Sequence, residues 1–326
     1  MPNRILAAVV ALAVALVPAA AAGGQKVTLT LDWTPNPDHV GFYYPREKGL
    51  FANAGLDVAI RAPSDPTAPL KLVAVGRSDL AVSYEQELFL AAARGLPVMA
   101  VAAVVPRPLN SIMAIQPRIR TVADLRGRTI GITGAPSDYA ALDTALAGAL
   151  LRRKDVKVVS IGYNLLPALL AHKVDAVLGV YRNVEGIELE RRGLKPTIIP
   201  LDRAGIPFYD ELVLVASAAR IRSDPAYADT VSRFVRAFVR GTTEARRDPS
   251  GSLAVLRKVT ASDPDFLARA TPATLALLSG PHGVGCMSIA QWQRFGAWMH
   301  SRELVKTRIP ASAVMTTRFL PRSCND

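Results

Sequence analysis

The stretch LDWTPNPDHVGFYY, at residues 31–44, concentrates polar side chains that can do chemistry and includes two prolines that restrict its backbone. One interpretation is catalytic, with the carboxylates and the imidazole as acids and bases. Another is the rim of a ligand pocket, where the indole stacks on a flat ring while the amide and the carboxylates contact its polar edge. A third is structural, with Asp and Asn capping the next helix and the indole in the core. The candidate residues are Asp32, Trp33, Asn36, Asp38 and His39.

Further segments place polar or aromatic side chains where predicted strands end. In SYE, a tyrosine is expected either to wall a pocket or to pack in the core. In YRNVEGIE, Tyr181, Asn183 and Glu185 alternate, so all three face one side if the strand continues. In TGAPSDY, polar residues precede a helix whose N-terminus either attracts a polar ligand or is simply capped by a serine or an aspartate. The candidate residues are Ser83, Tyr84, Glu85, Gly134, Ser137, Tyr181, Asn183, Glu185 and, in the later segment IPFYDE, Tyr209.

The elements that must position these residues alternate between strands and helices. Apolar strand patterns such as KVTLTL, LDVAIRA, DLAVSY and VMAVAAVV are separated by helical patterns. The theme restarts after Asn110 with SIMAI, RTIGIT, VKVVSI and DAVLGVY, and from about Ser223 to His300 the apolar spacing becomes helical. The sequence therefore predicts an α/β fold with mostly parallel, buried strands.

Two segments about one hundred residues apart repeat the same plan. LVAVGRSDLAVSYE and LLAHKVDAVLGVYR each contain a helix end, a short basic turn, an aspartate, an apolar strand and a tyrosine. Asp79 corresponds to Asp175 in this match, and Tyr84 corresponds to Tyr181. We expect two similar lobes, each presenting loops at the carboxyl ends of its strands, where ligands bind in open α/β sheets. The cleft between the lobes is then the expected binding site.

The N-terminus has the pattern of a secretory signal peptide, predicted over residues 1–22. Arg4 precedes an apolar run of 13 residues, and small residues end near Ala22. The alternative is an uncleaved membrane anchor, although the run is shorter than the roughly 20 residues that cross a bilayer. No cysteine follows the run, so a lipid anchor is not supported. We expect a periplasmic protein.

The cysteines, histidines and charges exclude several classes of protein. Cys286 and Cys324 are either one disulfide that holds the tail or two unpaired thiols. Two cysteines and four scattered histidines give no zinc or iron–sulfur spacing, so no cofactor is expected. The formal net charge of +12 is spread along the chain without interleaved aromatics, which indicates a solvated basic surface and argues against nucleic-acid binding.

The order of these motifs resembles the periplasmic solute-binding subunits of ABC importers, over about residues 26–320. EKGLFANAGLDV and DLRGRTIGI are shared with sulfonate and nitrate binders and specify only the fold. DWTPNPDH and YRNVEGIELE are much more specific to the branch that binds pyrimidine and flavin precursors, and the order of all the motifs resembles, more narrowly, the binders of pyrimidine precursors of thiamin. Where that branch often has an asparagine, this chain has Asp38.

The resemblance implies a type II periplasmic binding protein, with two α/β lobes and a ligand cleft between them. Crossovers are expected near Pro106–Asn110 and Glu211–Val213. Lobe one then holds residues 24–107 and 212–326, and lobe two holds residues 108–211.

The resemblance also implies a monomer that binds a small N-heterocyclic ligand and delivers it to an ABC permease at the inner membrane. The ring is expected to stack on Trp33 and Tyr84, while Asn36, Asp38 and Glu185 contact its edge. The alternative ligands are riboflavin or another flavin precursor, and a sulfonate.

An enzyme is the rival class, because fungal pyrimidine synthases resemble this family and consume the histidine that follows the WTPN motif. His39 holds that place, but the cysteine-rich metal motif of those enzymes has no counterpart before Cys286. A serine hydrolase lacks its Gly-x-Ser-x-Gly turn here. We therefore expect a binding protein in which His39 orients Asp38 or the ligand.

Overall fold

The computed structural model describes residues 24–324, so the predicted signal peptide at 1–22 lies outside the described residues. The strands are β1 (Gln25–Thr30), β2 (Leu56–Arg61), β3 (Leu80–Ser83), β4 (Val98–Val105), β5 (Asn110–Ala114), β6 (Thr129–Ile132), β7 (Lys157–Ser160), β8 (Ala176–Tyr181), β9 (Thr197–Pro200) and β10 (Leu212–Ser217). The α-helices are α1 (Val40–Glu47), α2 (Leu50–Asn53), α3 (Ala68–Ala74), α4 (Glu85–Ala93), α5 (Pro136–Gly148), α6 (Leu165–Leu170), α7 (Ile187–Arg191), α8 (Ala218–Ser223), α9 (Pro225–Arg247), α10 (Pro249–Val259), α11 (Pro264–Leu275), α12 (Ile289–Ser301) and α13 (Ala311–Val314).

The strands form two five-stranded sheets of the same plan, and we call the parts of the chain around them lobe one and lobe two. The order is β2-β1-β3-β10-β4 in lobe one and β7-β6-β8-β5-β9 in lobe two. In each lobe the first three strands of that order are parallel, and one antiparallel strand, β10 or β5, follows them. The predicted α/β fold with two lobes is confirmed.

The chain passes twice between the lobes. The first passage joins β4 to β5 through residues 106–109, and the second joins β9 to β10 through residues 201–211. Because β10 enters the first sheet between β3 and β4 and runs antiparallel to both, the two passages lie side by side. Glu211 N–H donates to the carbonyl of Val105 at 2.9 Å, which joins the start of β10 to the end of β4.

The repeated aspartates have the same structural role in both lobes. Asp79 precedes β3, and its Oδ2 accepts the N–H of Thr28 on β1 at 2.9 Å. Asp175 precedes β8, and its Oδ2 accepts the N–H of Thr129 on β6 at 2.9 Å. Each carboxylate thus ties the beginning of one parallel strand to the backbone of its neighbour, which explains why the turn and the aspartate recur in the sequence.

Helix α9 covers the outer side of lobe one and packs on α1. Its apolar residues recur at helical spacing, and two of them stack on aromatic rings from earlier helices. The ring of Phe238 lies 4.8 Å from that of Phe42, and the ring of Phe234 lies 4.7 Å from that of Phe51. All four side chains are fully buried. Burial of a Phe side chain is worth about 1.5–3 kcal/mol, so this contact holds α1, and the loop before it, firmly in place.

The C-terminal segment is held to lobe one by a disulfide. Cys286 and Cys324 are bonded, with an Sγ–Sγ distance of 2.00 Å and a sequence separation of 38. Thr316 N–H also donates to the carbonyl of Ala100 on β4 at 3.0 Å. The segment after α12 therefore returns to the central sheet of lobe one.

Candidate functional site

A cavity of about 320 Å³, part of it open to solvent, lies between the two lobes. It is lined by Asp32, Trp33, Asn36, Tyr84, Gly179, Tyr181, Val184, Glu185 and Leu212. Residues from the ends of β1, β3 and β8 contribute to this lining, as expected for a ligand site at the carboxyl ends of strands. Six of its members were predicted from the sequence: Asp32, Trp33, Asn36, Tyr84, Tyr181 and Glu185.

The loop after β1 is built so that its polar groups hold one another. Asn36 caps the short 3-10 helix Pro37–His39, and its Oδ1 accepts the N–H of Asp38 at 2.8 Å. The fully buried ring of His39 accepts the N–H of Asn36 at Nδ1, 3.2 Å away. Its proton is therefore on Nε2, which donates to Asp32 Oδ1 at 2.9 Å.

His39 therefore orients Asp32, and the prediction that it orients Asp38 is wrong. The reason is the capping turn, which turns the ring toward the residue that ends the preceding strand. Asp32 also accepts the hydroxyl of Tyr84 at Oδ2, 3.0 Å away. One buried carboxylate thus positions the aromatic wall that follows β3.

Trp33 lies on the cavity with an aromatic partner from lobe two. Its ring centroid is 4.3 Å from that of Tyr163, and the two planes are nearly perpendicular, at 81°. The Tyr163 hydroxyl lies 3.4 Å from the carbonyl oxygen of Asp32 and donates to it. Such edge contacts fix an indole without covering both of its faces. Sequence reasoning missed Tyr163, although an aromatic residue just after β7 is a signal of the same kind as Tyr84.

The segment after β8 departs from the predicted alternation. The strand ends at Tyr181, and residues Arg182–Gly186 form a turn of π-helix. Tyr181, Asn183 and Glu185 therefore do not share one face, and the premise that the strand continues is wrong. Instead, Glu185 Oε2 accepts the N–H of Tyr181 at 2.8 Å, which folds the carboxylate back toward the cavity.

Gly179 shows why this wall requires a glycine within β8. It lines the cavity and has φ of +101°, a conformation that residues with a Cβ rarely adopt. A Cβ at this position meets Thr133 at 3.1 Å and Leu165 at 3.3 Å. A larger residue at position 179 therefore strains the backbone of β8 and crowds Thr133 and Leu165.

Asn183 and Asp38 meet behind the cavity and join the two lobes. The Asn183 amide donates to Asp38 Oδ1 at 2.7 Å and to Thr274 Oγ1 at 3.0 Å. Both Asp38 and Asn183 are almost fully buried, and neither belongs to the lining of the cavity. The structure therefore places Asp38 at an interlobe contact, where the sequence suggested a contact with the edge of the ligand.

Other predicted site residues lie in two neighbouring cavities. Ser83 and Gly134 line a larger cavity of about 790 Å³, part of it open to solvent, where α3 and α4 of lobe one face the loop after β6. Ser137 and Tyr209 line a mainly apolar cavity of about 300 Å³ beside α12. Ser137 also donates its N–H to Glu87 Oε1 at 2.9 Å across the lobes. The predicted site residues that line a cavity are thus divided among three cavities.

Glu85 follows Tyr84 in sequence but points away from every part of the cavity. Its carboxylate is fully buried, accepts the N–H of Asp210 at 2.7 Å and accepts the amide of Gln291 at 3.0 and 3.1 Å. The reason is that Glu85 begins α4, where the chain direction changes after Tyr84. Its role here is to join α4 to the second passage and to α12.

Carboxyl groups dominate the electrostatics around the cavity. Burial raises the pKa of Glu185 to about 7 and that of Asp38 to about 6. Burial, together with Asp32 and other acidic neighbours, also raises the pKa of the Tyr84 hydroxyl. Within residues 24–324, no lysine or arginine lines this cavity. The site therefore favours a neutral or protonated ligand with N–H donors over an anion.

Two features that are absent from residues 24–324 bear on other functions. No helix in that range is long and apolar enough to span a membrane. In the same range, no group of three or more His, Cys, Asp or Glu side chains is arranged to hold a metal ion.

The two sheets, the two passages and the cavity between the lobes define the periplasmic-binding-protein fold. The alkanesulfonate-binding protein SsuA of Xanthomonas axonopodis pv. citri, solved with bound MOPS, has this fold, with a TM-score of 0.69 and 19% identity over 90% of this chain and 99% of its own. The family model described as NMT1/THI5 like matches residues 36–252, so the chain belongs to the NMT1/THI5-like family.

The names of the relatives include binding proteins and enzymes. A formylaminopyrimidine-binding protein of Halalkalibacterium halodurans is 36% identical over 234 residues, which cover 71% of this chain and 70% of the relative. A 4-amino-5-hydroxymethyl-2-methylpyrimidine phosphate synthase of Saccharomyces cerevisiae is 24% identical over 237 residues, which cover 69% and 68%. The predicted membership in a family related to thiamin pyrimidines is confirmed.

Proposed function

We propose that this chain is the substrate-binding subunit of an ABC importer that captures a thiamin pyrimidine precursor, such as a formylaminopyrimidine or a hydroxymethylpyrimidine. The observation that carries the proposal is the cavity between the lobes, where three aromatic side chains line the same space as carboxyl and amide groups. The name of the Halalkalibacterium relative supports the same class of ligand.

The aromatic lining suits a small flat ring. Trp33 and Tyr84 come from lobe one and Tyr181 from lobe two, so a ring between them contacts both lobes. Stacking of a base on an aromatic side chain is worth about 1–3 kcal/mol. A ligand held in this way binds the closed arrangement better than the open one, which is the condition for closure.

The polar lining suits the edge of an aminopyrimidine. Glu185 uses Oε2 for the N–H of Tyr181, and we assign its other oxygen to an exocyclic amine of the ligand. Asn36 both donates and accepts, so it complements a ring nitrogen or an amine. Asp32 is already bonded to His39 and Tyr84 and serves mainly to hold this wall.

The alternative ligands fit these features less well. A sulfonate requires donors or cations, whereas Asp32 and Glu185 face the cavity and repel an anion. Riboflavin is larger than a pyrimidine, so it requires a larger space between the lobes than a single small ring does.

A binding role also fits the environment of the histidine that a synthase would consume. His39 is fully buried, and both of its ring nitrogens are engaged within its own loop. Under this proposal the protein makes and breaks no bond. It acts in the periplasm as a monomer, with lobe boundaries as the sequence predicts, and the closed form docks on the permease.

Titration calorimetry with an aminopyrimidine precursor, riboflavin and taurine tests the proposal. We expect one aminopyrimidine to bind per chain, and Glu185→Gln to weaken it about tenfold or more, as expected for loss of a charged hydrogen bond. Glu190→Gln is the matched control, because Glu190 is an exposed carboxylate in the following helix. Binding of taurine or riboflavin without the pyrimidine overturns the proposed ligand, and an unchanged affinity in Glu185→Gln overturns the assigned role of Glu185.

A further inference from the structure

Glu211 lies where the second passage between the lobes enters β10. Its side chain is fully buried, and its Oε2 accepts the N–H groups of Leu109 and Asn110 at 2.7 Å each. Leu109 ends the first passage and Asn110 begins β5 of lobe two. One carboxylate on the second passage is therefore hydrogen-bonded to the backbone of the first.

The same carboxylate also reaches the wall of the ligand cavity. The Tyr209 hydroxyl donates to Oε2 at 2.9 Å, and the Tyr181 hydroxyl donates to Oε1 at 3.3 Å. Tyr181 lines the cavity from lobe two, and Leu212, which follows Glu211, lines it from lobe one. Glu211 thus connects both passages to a side chain that faces the ligand.

Burial of this carboxylate is costly, and its surroundings contain no compensating cation. No salt bridge to Glu211 occurs among the described residues, and burial raises its pKa to about 7. Burying a carboxylate costs free energy unless the group is paired and hydrogen-bonded. The four donors around Glu211 supply these hydrogen bonds and fix the geometry of the carboxylate.

We propose that Glu211 is a positioning residue that sets the relative placement of the two lobes and transmits it to the ligand wall through Tyr181. Glu211 does not line the cavity itself. Opening and closing must change the backbone of both passages, and Glu211 makes them move together. The role of Tyr181 in this proposal rests on the proposed function, namely that the ligand binds in the cavity between the lobes.

The distance between the lobes in the ligand-free protein tests the first part. Spin labels at Arg77→Cys in lobe one and Lys154→Cys in lobe two, both exposed positions, report this distance by double electron–electron resonance. We expect Glu211→Gln to broaden or shift the distance distribution. Asp210→Asn is the matched control, because Asp210 is the adjacent buried carboxylate but accepts from Trp292 on α12.

The proposal is overturned if Glu211→Gln leaves the distribution unchanged, or if Asp210→Asn alters it equally. Since no ligand is added, this result does not depend on which ligand the protein binds. If Glu211→Gln fails to fold, Tyr181→Phe and Tyr209→Phe replace it, each removing one hydroxyl from Glu211. Tyr181→Phe must then alter the distribution more than Tyr209→Phe, and the reverse order contradicts the proposal.

A double-mutant cycle tests the coupling to the cavity. We expect Glu211→Gln and Tyr181→Phe each to weaken binding of an aminopyrimidine in calorimetry by about fivefold to tenfold. The two substitutions break one shared interaction. The affinity of the double variant should therefore be at most about twofold lower than that of the weaker-binding single variant. Full additivity of the two effects shows that Tyr181 and Glu211 act independently and contradicts the coupling. If wild type binds no pyrimidine while the distance result holds, the proposed ligand fails and the positioning role stands.

Discussion

The loops that follow β1 and β6 occupy the same place in two sheets of the same plan, yet they use their polar groups differently. After β1, Asp32 and Asn36 line the cavity because His39 holds both of them from behind. After β6, Asp138 is buried and its Oδ2 accepts from Thr133 Oγ1 and from Gly134 N–H within the same loop. Equal topology therefore does not give equal function: Asp32 lines the cavity although both of its oxygens are hydrogen-bonded, whereas Asp138 does not line it.

Tyr84, which follows β3, and Tyr181, which ends β8, show the opposite case, because here the two lobes use the same type of residue in the same way. Tyr84 and Tyr181 both line the cavity, and each hydroxyl donates to a buried carboxylate. The two carboxylates, Asp32 and Glu211, both belong to segments that border the sheet of lobe one. The aromatic walls of both lobes are thus positioned from one side of the cleft.

The largest expected difference between the lobes concerns the disulfide, because only lobe one has one among the described residues. Reduction of Cys286–Cys324, or a Cys286→Ser/Cys324→Ser variant, should lower the free energy of unfolding by about 3–4 kcal/mol for a loop of this length. Denaturant unfolding with and without reductant measures the effect. An unchanged unfolding midpoint contradicts a stabilising role for the bond, and the double variant should not respond to reductant.

Burial of Asp38 at the junction of the lobes should make this junction sensitive to pH, because burial raises the pKa of the carboxyl group against the lowering effects of His39 and Asn183. The pKa of Asp38 is raised from 3.8 to about 6 in the folded protein, so the folded state binds more protons than the unfolded state between these values. The stabilisation that comes from this extra proton is complete below pH 3.8 and is lost as the pH rises through 6. Asp38→Asn should therefore stabilise the protein at pH 8 by up to about 3 kcal/mol, and have little effect near pH 4.

Thermal or denaturant unfolding over this pH range tests the prediction. In wild type, Asp38 Oδ2 and Asn183 Oδ1 are buried acceptors without a partner in the described residues. The Asp38→Asn substitution replaces one carboxylate oxygen by an amide donor, so it removes one excess acceptor from this contact. Asp57→Asn is the control, because Asp57 is exposed on β2. If Asp38→Asn is less stable than wild type at pH 8, the folded protein stabilises the charged form of Asp38, and the raised pKa is not the cause of the pH dependence.

Replacement of the stacked indole should separate the contributions of the lobes to binding. Trp33→Ala should weaken binding of an aminopyrimidine by about 5- to 150-fold, the equivalent of ~1–3 kcal/mol of stacking. Tyr163→Ala in lobe two should have a smaller effect, because Tyr163 supports the Trp33 ring by its edge. Calorimetry measures both, with Trp298→Ala on α12 as a control that leaves affinity unchanged. An effect of Tyr163→Ala larger than that of Trp33→Ala reverses the assigned roles.

The smallest effect is expected where the lobes are equivalent. Asp79→Asn and Asp175→Asn each weaken one charge-assisted hydrogen bond to the first parallel strand of a lobe, and each should cost about 1–2 kcal/mol. Both carboxylates also face an arginine, Arg220 or Arg118, near the surface. Urea unfolding of the two variants measures the costs. A large cost in one lobe and none in the other breaks the equivalence.

Much of the fold was predictable because it depends on local patterns. Apolar strands separated by helices, and the repeated aspartates, correspond directly to the strands and ties of the two sheets. The residues that line the cavity were partly predictable for the same reason, since they directly follow strands. Trp33, Tyr84 and Tyr181 are of this kind.

The remaining site residues depend on contacts between distant parts of the chain. Glu85 appeared equivalent to its neighbour Tyr84, but it is held by Gln291, more than two hundred residues away. Glu211 gave no local signal beyond an acidic pair, and its role appears only when both passages are seen together. The π-helical turn after Tyr181 likewise has no pattern that distinguishes it from a continuing strand.

Native mass spectrometry of the purified protein, followed by identification of any co-purified small molecule, tests the central claim most directly. The cavity between the lobes, with its aromatic walls and its acidic lining, predicts one bound aminopyrimidine per chain, lost in the Trp33→Ala variant. A co-purified flavin or sulfonate, retained in that variant, contradicts both the assigned ligand and the assigned site.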